Sequence, residues 1–141
     1  MRRNCTKLPI NDYITELGIA NTKNISLYVD SENIKKCEEI ISFLENNRKK
    51  FLRILGVIIN GYYNDDLYGK EKVDSNTKNI TPMKFKGKFN SNTRIYCKEF
   101  FQNGKQVVMI TMLLKKVQKV KDDKNRKERL KIIGDYEYEF K

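Results

Sequence analysis

Three lysines, Lys84, Lys86 and Lys88, alternate with apolar residues. Residues two apart in a β-strand project to the same face, so the three ammonium groups would form one cationic ridge while the residues between them face a core. Arg94 lies just beyond a turn predicted at 90–92, and its planar guanidinium is suited to bidentate binding of phosphate. A polyanion is the natural partner of such a surface. The alternative is a solubilising polar face on an amphipathic strand.

The distribution of charge favours the polyanion. The formal net charge is +11 over 141 residues. Residues 81–131 hold 15 Lys/Arg and 4 Asp/Glu, whereas the other 90 residues hold 14 of each. A surface adapted only for solubility would spread its charge more evenly. Nucleic acid is therefore favoured over a membrane surface, since no helix pattern combines a basic face with a broad apolar one.

A three-stranded antiparallel meander is predicted to position these cations. Its strands are predicted at 84–89, 94–100 and 106–114. Asn103-Gly104 is a strong hairpin signal between the second and third strands. The near-continuous apolar run at 107–114 is typical of a strand covered on both faces.

A helical hairpin is predicted to precede the meander and to pack on one face of its sheet. Asp30 or Ser31 can cap a first helix, which carries apolar residues from Ile34 onward at helical spacing and ends near 46–47. A second helix is predicted at about 49–60, and Gly61 stops it. We interpret the apolar residues of both helices as core.

The two ends of the chain are predicted to flank one central domain at 31–134. Residues 1–30 are interpreted as an N-terminal extension, with a short helical turn ended by Gly18 and a strand at 24–29. A last basic helix, capped by Asp122 or Asp123, is predicted to end at Gly134. The tail at 135–141 alternates acidic and aromatic residues, which suits either an edge strand or an exposed tail.

Several classes of protein are disfavoured by composition. The chain contains no histidine, and its three cysteines are isolated, so neither a metal site nor a disulfide framework is predicted. No cofactor is expected. No signal peptide or membrane span is predicted, and a reduced cytoplasmic compartment without a membrane partner is expected.

Three short segments carry a family resemblance. They are RIY at 94–96, GKQVVMI at 104–110 and KKVQK at 115–119, and a charged helix follows them. In this order they resemble the RelE/HigB branch of toxins from bacterial toxin–antitoxin pairs, over roughly residues 31–133. The resemblance implies an α+β fold with a helical hairpin on a small twisted antiparallel sheet and a short C-terminal basic helix.

The resemblance also implies a function. Members of the family are small basic ribonucleases that cut mRNA, commonly in the ribosomal decoding site, and a partner antitoxin neutralises them. Others poison DNA gyrase without cleavage. This chain departs from the pattern because it has no histidine, which some HigB-type members have, and because about 30 additional residues precede the matching segment.

Cleavage of RNA by its own 2′-hydroxyl requires in-line placement, stabilisation of charge on the phosphoryl oxygens and a proton for the leaving 5′-oxygen. Arg94 is the best phosphate clamp. Tyr96 could stack on a base, donate a proton or simply pack in its strand. The predicted catalytic residues are Arg94, Lys84, Lys86, Lys115 and Lys116, and the predicted RNA-binding residues are Lys88, Tyr96, Lys119, Lys121 and Arg126. The alternative function is a non-enzymatic basic module that binds RNA or protein.

Overall fold

The computed structural model of the chain describes residues 2–61, 64, 66–69, 79–86, 93–115 and 121–140. The described residues form an α+β fold of four helices and a six-stranded mixed sheet. The elements in chain order are β1 (Arg3–Lys7), α1 (Ile10–Leu17), β2 (Ser26–Asp30), α2 (Ile34–Asn46), α3 (Arg48–Asn60), β3 (Ile80–Phe85), β4 (Thr93–Gln102), β5 (Lys105–Leu114), α4 (Lys121–Gly134) and β6 (Tyr138–Glu139).

The predicted meander is confirmed as antiparallel β3, β4 and β5. Asn103 and Gly104 form its second turn with φ values of 52° and 77°, the left-handed backbone that makes this dipeptide a good hairpin turn. β3 begins earlier than predicted, at Ile80. The first predicted turn at 90–92, with Lys88 before it, lies outside the described residues.

The sheet extends well beyond the meander, in the order β3-β4-β5-β2-β1-β6. Residues 3–30 supply β1, α1 and β2, so the segment interpreted as an extension contributes two strands to the same sheet. β2 runs parallel to β5, which the α2–α3 hairpin permits because parallel neighbours need a long crossover connection. The predicted strand at 24–29 corresponds to β2, and Gly18 ends α1 in a left-handed conformation with φ 71°.

Helices α1, α2 and α3 cover one face of the sheet. Phe51, Ile54 and Ile59 of α3 are buried in a cluster that also contains Met83 and Ile110 of the sheet. This packing confirms that the predicted hairpin faces a core.

The start of α2 was predicted wrongly, since the helix begins at Ile34. The Asn33 side chain caps it by accepting a hydrogen bond from the Lys36 backbone N–H at 3.1 Å, and Ile34 is 69% exposed.

Helix α4 covers the opposite face at the meander end of the sheet. Its Leu130 and Ile133 pack with Ile80 of β3 and Tyr96 of β4. Because α4 already begins at Lys121, the predicted caps Asp122 and Asp123 lie within its first turn. We refer below to the α4 face and the α3 face of the sheet.

Lys98 of β4 holds the end of α4 against the sheet. Its Nζ donates to the carbonyl oxygens of Gly134 at 2.9 Å and Tyr136 at 2.6 Å. A cation here complements the negative end of the helix dipole and satisfies carbonyls that the helix leaves open. Burial lowers the pKa of Lys98.

A buried carboxylate joins the three strands β1, β2 and β6. Asp30 accepts hydrogen bonds from Arg3 Nε at 2.8 Å, from the Tyr138 hydroxyl at 2.7 Å and from the Glu32 backbone N–H at 3.0 Å. Tyr138 lies in β6, which pairs in parallel with β1. Of the two predicted alternatives for the tail, the edge strand is therefore the one observed.

Stability is expected to fall in alkaline solution because of Tyr138. Burial and the neighbouring Asp30 raise its pKa above the ordinary 10.0, so the folded protein keeps a proton that the unfolded chain releases. The folded state then binds more protons above about pH 10, and the free energy of unfolding decreases by up to about 1.4 kcal/mol per pH unit for this group. Urea unfolding between about pH 8 and pH 11 measures the slope. Tyr138→Phe should reduce the slope, and part of it should remain because burial also raises the pKa of Tyr68 and Cys97. Equal slopes in wild type and Tyr138→Phe would contradict the assignment.

Candidate nucleic-acid interface

Two of the predicted cations face each other across neighbouring strands. Lys84 of β3 is the direct partner of Arg94 of β4, and Arg94 is the partner of Leu114 of β5. Side chains opposite one another in a sheet project to the same face. That face is the α4 face, since Leu114 packs against the cluster that contains Leu130. Like charges placed opposite each other repel, so this pair favours an anion beside it.

The two cations differ in accessibility. Lys84 is 9% exposed, so it acts on its surroundings mainly through its charge. Arg94 is half-buried, and its Nη1 donates to the Thr93 carbonyl at 3.2 Å. That hydrogen bond holds one of the two terminal nitrogens of the guanidinium in place, and a guanidinium is the side-chain group best matched to a phosphate. Arg94 is thus the better placed of the two for direct contact with a ligand.

Tyr96 has no ring face open to a base. Its side chain is 1% exposed and packs with Ile80, Leu130 and Ile133. Of the roles weighed for this residue, packing in its strand is the one that the geometry describes. Helix α4 covers this part of the face.

Lys86 and Lys115 do not join the pair. The Lys86 Nζ lies 3.2 Å from the Asp66 carboxylate, and both side chains are exposed. Lys115 follows β5 and lines a surface cavity with residues of α2, including Glu38 and Phe43. It therefore lies towards the α3 face of the sheet, whereas Arg94 lies on the α4 face.

The other predicted site residues are only partly described. Lys88, Lys116 and Lys119 lie outside the described residues. Lys121 is the first residue of α4. Arg126 lies half-buried on the same helix. The described geometry therefore brings together Lys84 and Arg94 from the predicted set.

Sequence reasoning missed a second basic region. Arg3, Lys36 and Arg129 come from β1, α2 and α4 and line one cavity of about 490 Å³. They are far apart in the chain, and each stands in a segment with a different pattern. Of these three residues, only Arg129 stands in a segment that the sequence marks as basic. The sequence does not show that the three come together, because their proximity depends on the order of the strands in the sheet.

Metal and membrane features are absent from the described part of the chain. No group of three or more Cys, Asp or Glu residues there could hold a metal ion. Within the same residues, no helix is long and apolar enough to cross a bilayer.

Comparison with known proteins identifies no relative. No family model, curated protein or solved structure matches the chain.

Proposed function

We propose that this protein is a small metal-independent endoribonuclease toxin of the RelE/HigB kind, which cleaves mRNA and is neutralised by an antitoxin protein. The observation that carries the proposal is the Lys84–Arg94 pair on the α4 face, within the segment that holds the whole basic excess. The α2–α3 hairpin, the β3–β4–β5 meander and α4 also follow one another in the order that the resemblance implies.

In the proposed reaction, Arg94 binds the non-bridging oxygens of one RNA phosphate. The 2′-oxygen attacks phosphorus and the bond from phosphorus to the 5′-oxygen breaks, which leaves a 2′,3′-cyclic phosphate and a 5′-hydroxyl. Negative charge grows on the phosphoryl oxygens during this step, and a fixed guanidinium stabilises it. The positive charge of Lys84 beneath the site adds to that stabilisation.

Two proton transfers complete the proposed reaction. A base accepts the proton of the 2′-hydroxyl, and an acid protonates the leaving 5′-oxygen. Lys86 was predicted to be catalytic and is exposed one residue beyond β3, but it would have to leave its ion pair with Asp66 to serve as the acid. Lys88, Lys116 and Lys119 keep their predicted roles as further proton carriers or phosphate ligands.

A second candidate function is binding without cleavage, including poisoning of gyrase. The burial of Tyr96 and the use of Lys98 by the end of α4 favour it, because both remove a proton-transfer group from the surroundings of Arg94. An RNA cleavage assay separates the two functions, since both predict affinity for a polyanion and only the first predicts products.

RNA affinity is expected to fall steeply with salt. Each phosphate neutralised by Lys or Arg releases counterions, so about four phosphate contacts predict a loss on the order of 50-fold in affinity between about 50 mM and 200 mM salt. Fluorescence anisotropy with a labelled single-stranded RNA measures the slope. An affinity that does not change with salt would contradict a phosphate-binding surface and favour a protein partner.

A further inference from the structure

Strand β5 continues past the end of its neighbour β2. β2 pairs with Val107–Ile110 and ends at Asp30. Beyond the β2 pairing, residues 112–114 of β5 pair with β4 on one side. On the other side, no strand of the described chain pairs with them. Within the described part of the chain, this stretch is thus a short open edge inside the sheet, and such edges are templates for an added strand.

The open edge forms the floor of a groove between two helices. The cavity of about 490 Å³ is lined by α2 on one side and α4 on the other, and Arg3 and Tyr136 bound it near the end of β2. The Arg3 guanidinium lies 3.9 Å from the centre of the Tyr136 ring, so these two side chains pack on each other at this end of the groove. The space matches the position that β2 would occupy if it continued.

A β-bulge fixes the edge at the start of the groove. The register of β4 and β5 shifts between Tyr96 and Cys97, so that Tyr96 pairs with Met112 and Cys97 with Ile110. The extra residue, Thr111, donates its hydroxyl to the Tyr96 carbonyl at 2.6 Å. Bulges change strand direction locally, and this one separates the paired part of β5 from the open part.

The walls of the groove are basic and apolar. Lys36 and Arg129 are exposed, and neither forms an ion pair with another described side chain. Besides Arg3, whose guanidinium is paired with Asp30, the lining holds these two cations and one acidic residue, Glu39. Ile132 also lines the groove and is 57% exposed, although large apolar side chains on a helix usually face a core.

We propose that this groove binds an extended segment of a protein partner, which adds a strand to the open edge of β5. Side chains that alternate along such a segment face α2 and α4 in turn. Acidic side chains would meet Lys36 or Arg129, and apolar ones would meet Ile40 or Ile132. The partner segment is therefore extended and carries both acidic and apolar side chains. This inference does not depend on the proposed ribonuclease activity.

The test starts from a displayed library of random dodecapeptides, selected on the full chain in the presence of excess RNA. Selection should enrich peptides that carry Asp or Glu together with β-branched or aromatic residues. Arg129→Glu and Ile132→Glu should each weaken binding of a selected peptide by about tenfold or more, because like charges and a lost apolar contact oppose it. Lys127→Glu and Phe101→Glu are matched controls, since both residues are exposed and lie outside the groove lining.

The results of this test distinguish which molecule occupies the groove. Loss of binding in the two groove variants only, together with slowed amide exchange in residues 111–114 of the complex, is the expected result. Equal binding by all four variants would overturn the proposal. A wild-type dimer that Ile132→Glu dissociates would overturn it too, because a second copy would then be the occupant.

Discussion

Replacing Arg94 by alanine should reduce RNA cleavage by on the order of a hundredfold, the effect of removing one preorganised group that stabilises developing charge. Arg94 is the accessible member of the cation pair on the α4 face. Its Nη1 is held by the Thr93 carbonyl at 3.2 Å, which fixes one end of the guanidinium. Growth arrest in bacteria and RNA cleavage with and without ribosomes measure the effect.

Two further variants show whether charge or geometry matters at this position. Arg94→Lys should restore only part of the activity, because the charge remains and the bidentate geometry is lost. Arg53→Ala is the matched control, since Arg53 is exposed on α3 and lies over the other face of the sheet. If Arg53→Ala lowers cleavage as much as Arg94→Ala, net charge alone accounts for activity.

Replacing Asp30 by alanine should lower the free energy of unfolding by about 3 kcal/mol, the cost of removing one partner from a buried ion pair. The Asp30 side chain is 5% exposed and the Arg3 side chain 28%, so the low end of that range applies. The change also leaves the buried Tyr138 hydroxyl without its acceptor, which adds a desolvation cost.

Urea unfolding measures this loss. Asp12→Ala is its control, because Asp12 is an exposed carboxylate in the first turn of α1. Asp30→Asn should fall between the two, since an amide oxygen still accepts a hydrogen bond but carries no charge. A loss below about 1 kcal/mol for Asp30→Ala would mean that the network joining β1, β2 and β6 contributes little.

The local pattern of the sequence was sufficient for the meander and the helical hairpin. Asn103-Gly104 specifies a turn because both residues accept positive φ. The apolar run of β5 specifies a strand covered on both faces, and helices do pack on each side of it. These signals are local, so they can be interpreted without knowing the rest of the fold.

The features that sequence reasoning missed depend on long-range packing. Alternation correctly divided β3 into two faces, but it could not indicate that Lys84 is buried or that α4 packs on Tyr96. Nor does any local pattern specify that β2 lies beside β5, or that Thr111 forms a bulge. The groove between α2 and α4 lies where the β2–β5 pairing and the bulge end. Because neither feature could be predicted, the groove and its basic residues were missed.

The most direct test of the central claim is cleavage of RNA in the presence of EDTA by wild type and Arg94→Ala, with and without ribosomes, followed by analysis of the product ends. The account predicts that wild type cuts RNA under chelation, leaves 2′,3′-cyclic phosphate and 5′-hydroxyl ends, and loses on the order of a hundredfold in rate when Arg94 is removed. Absence of cleavage in both settings, or cleavage that Mg²⁺ alone restores, would contradict it.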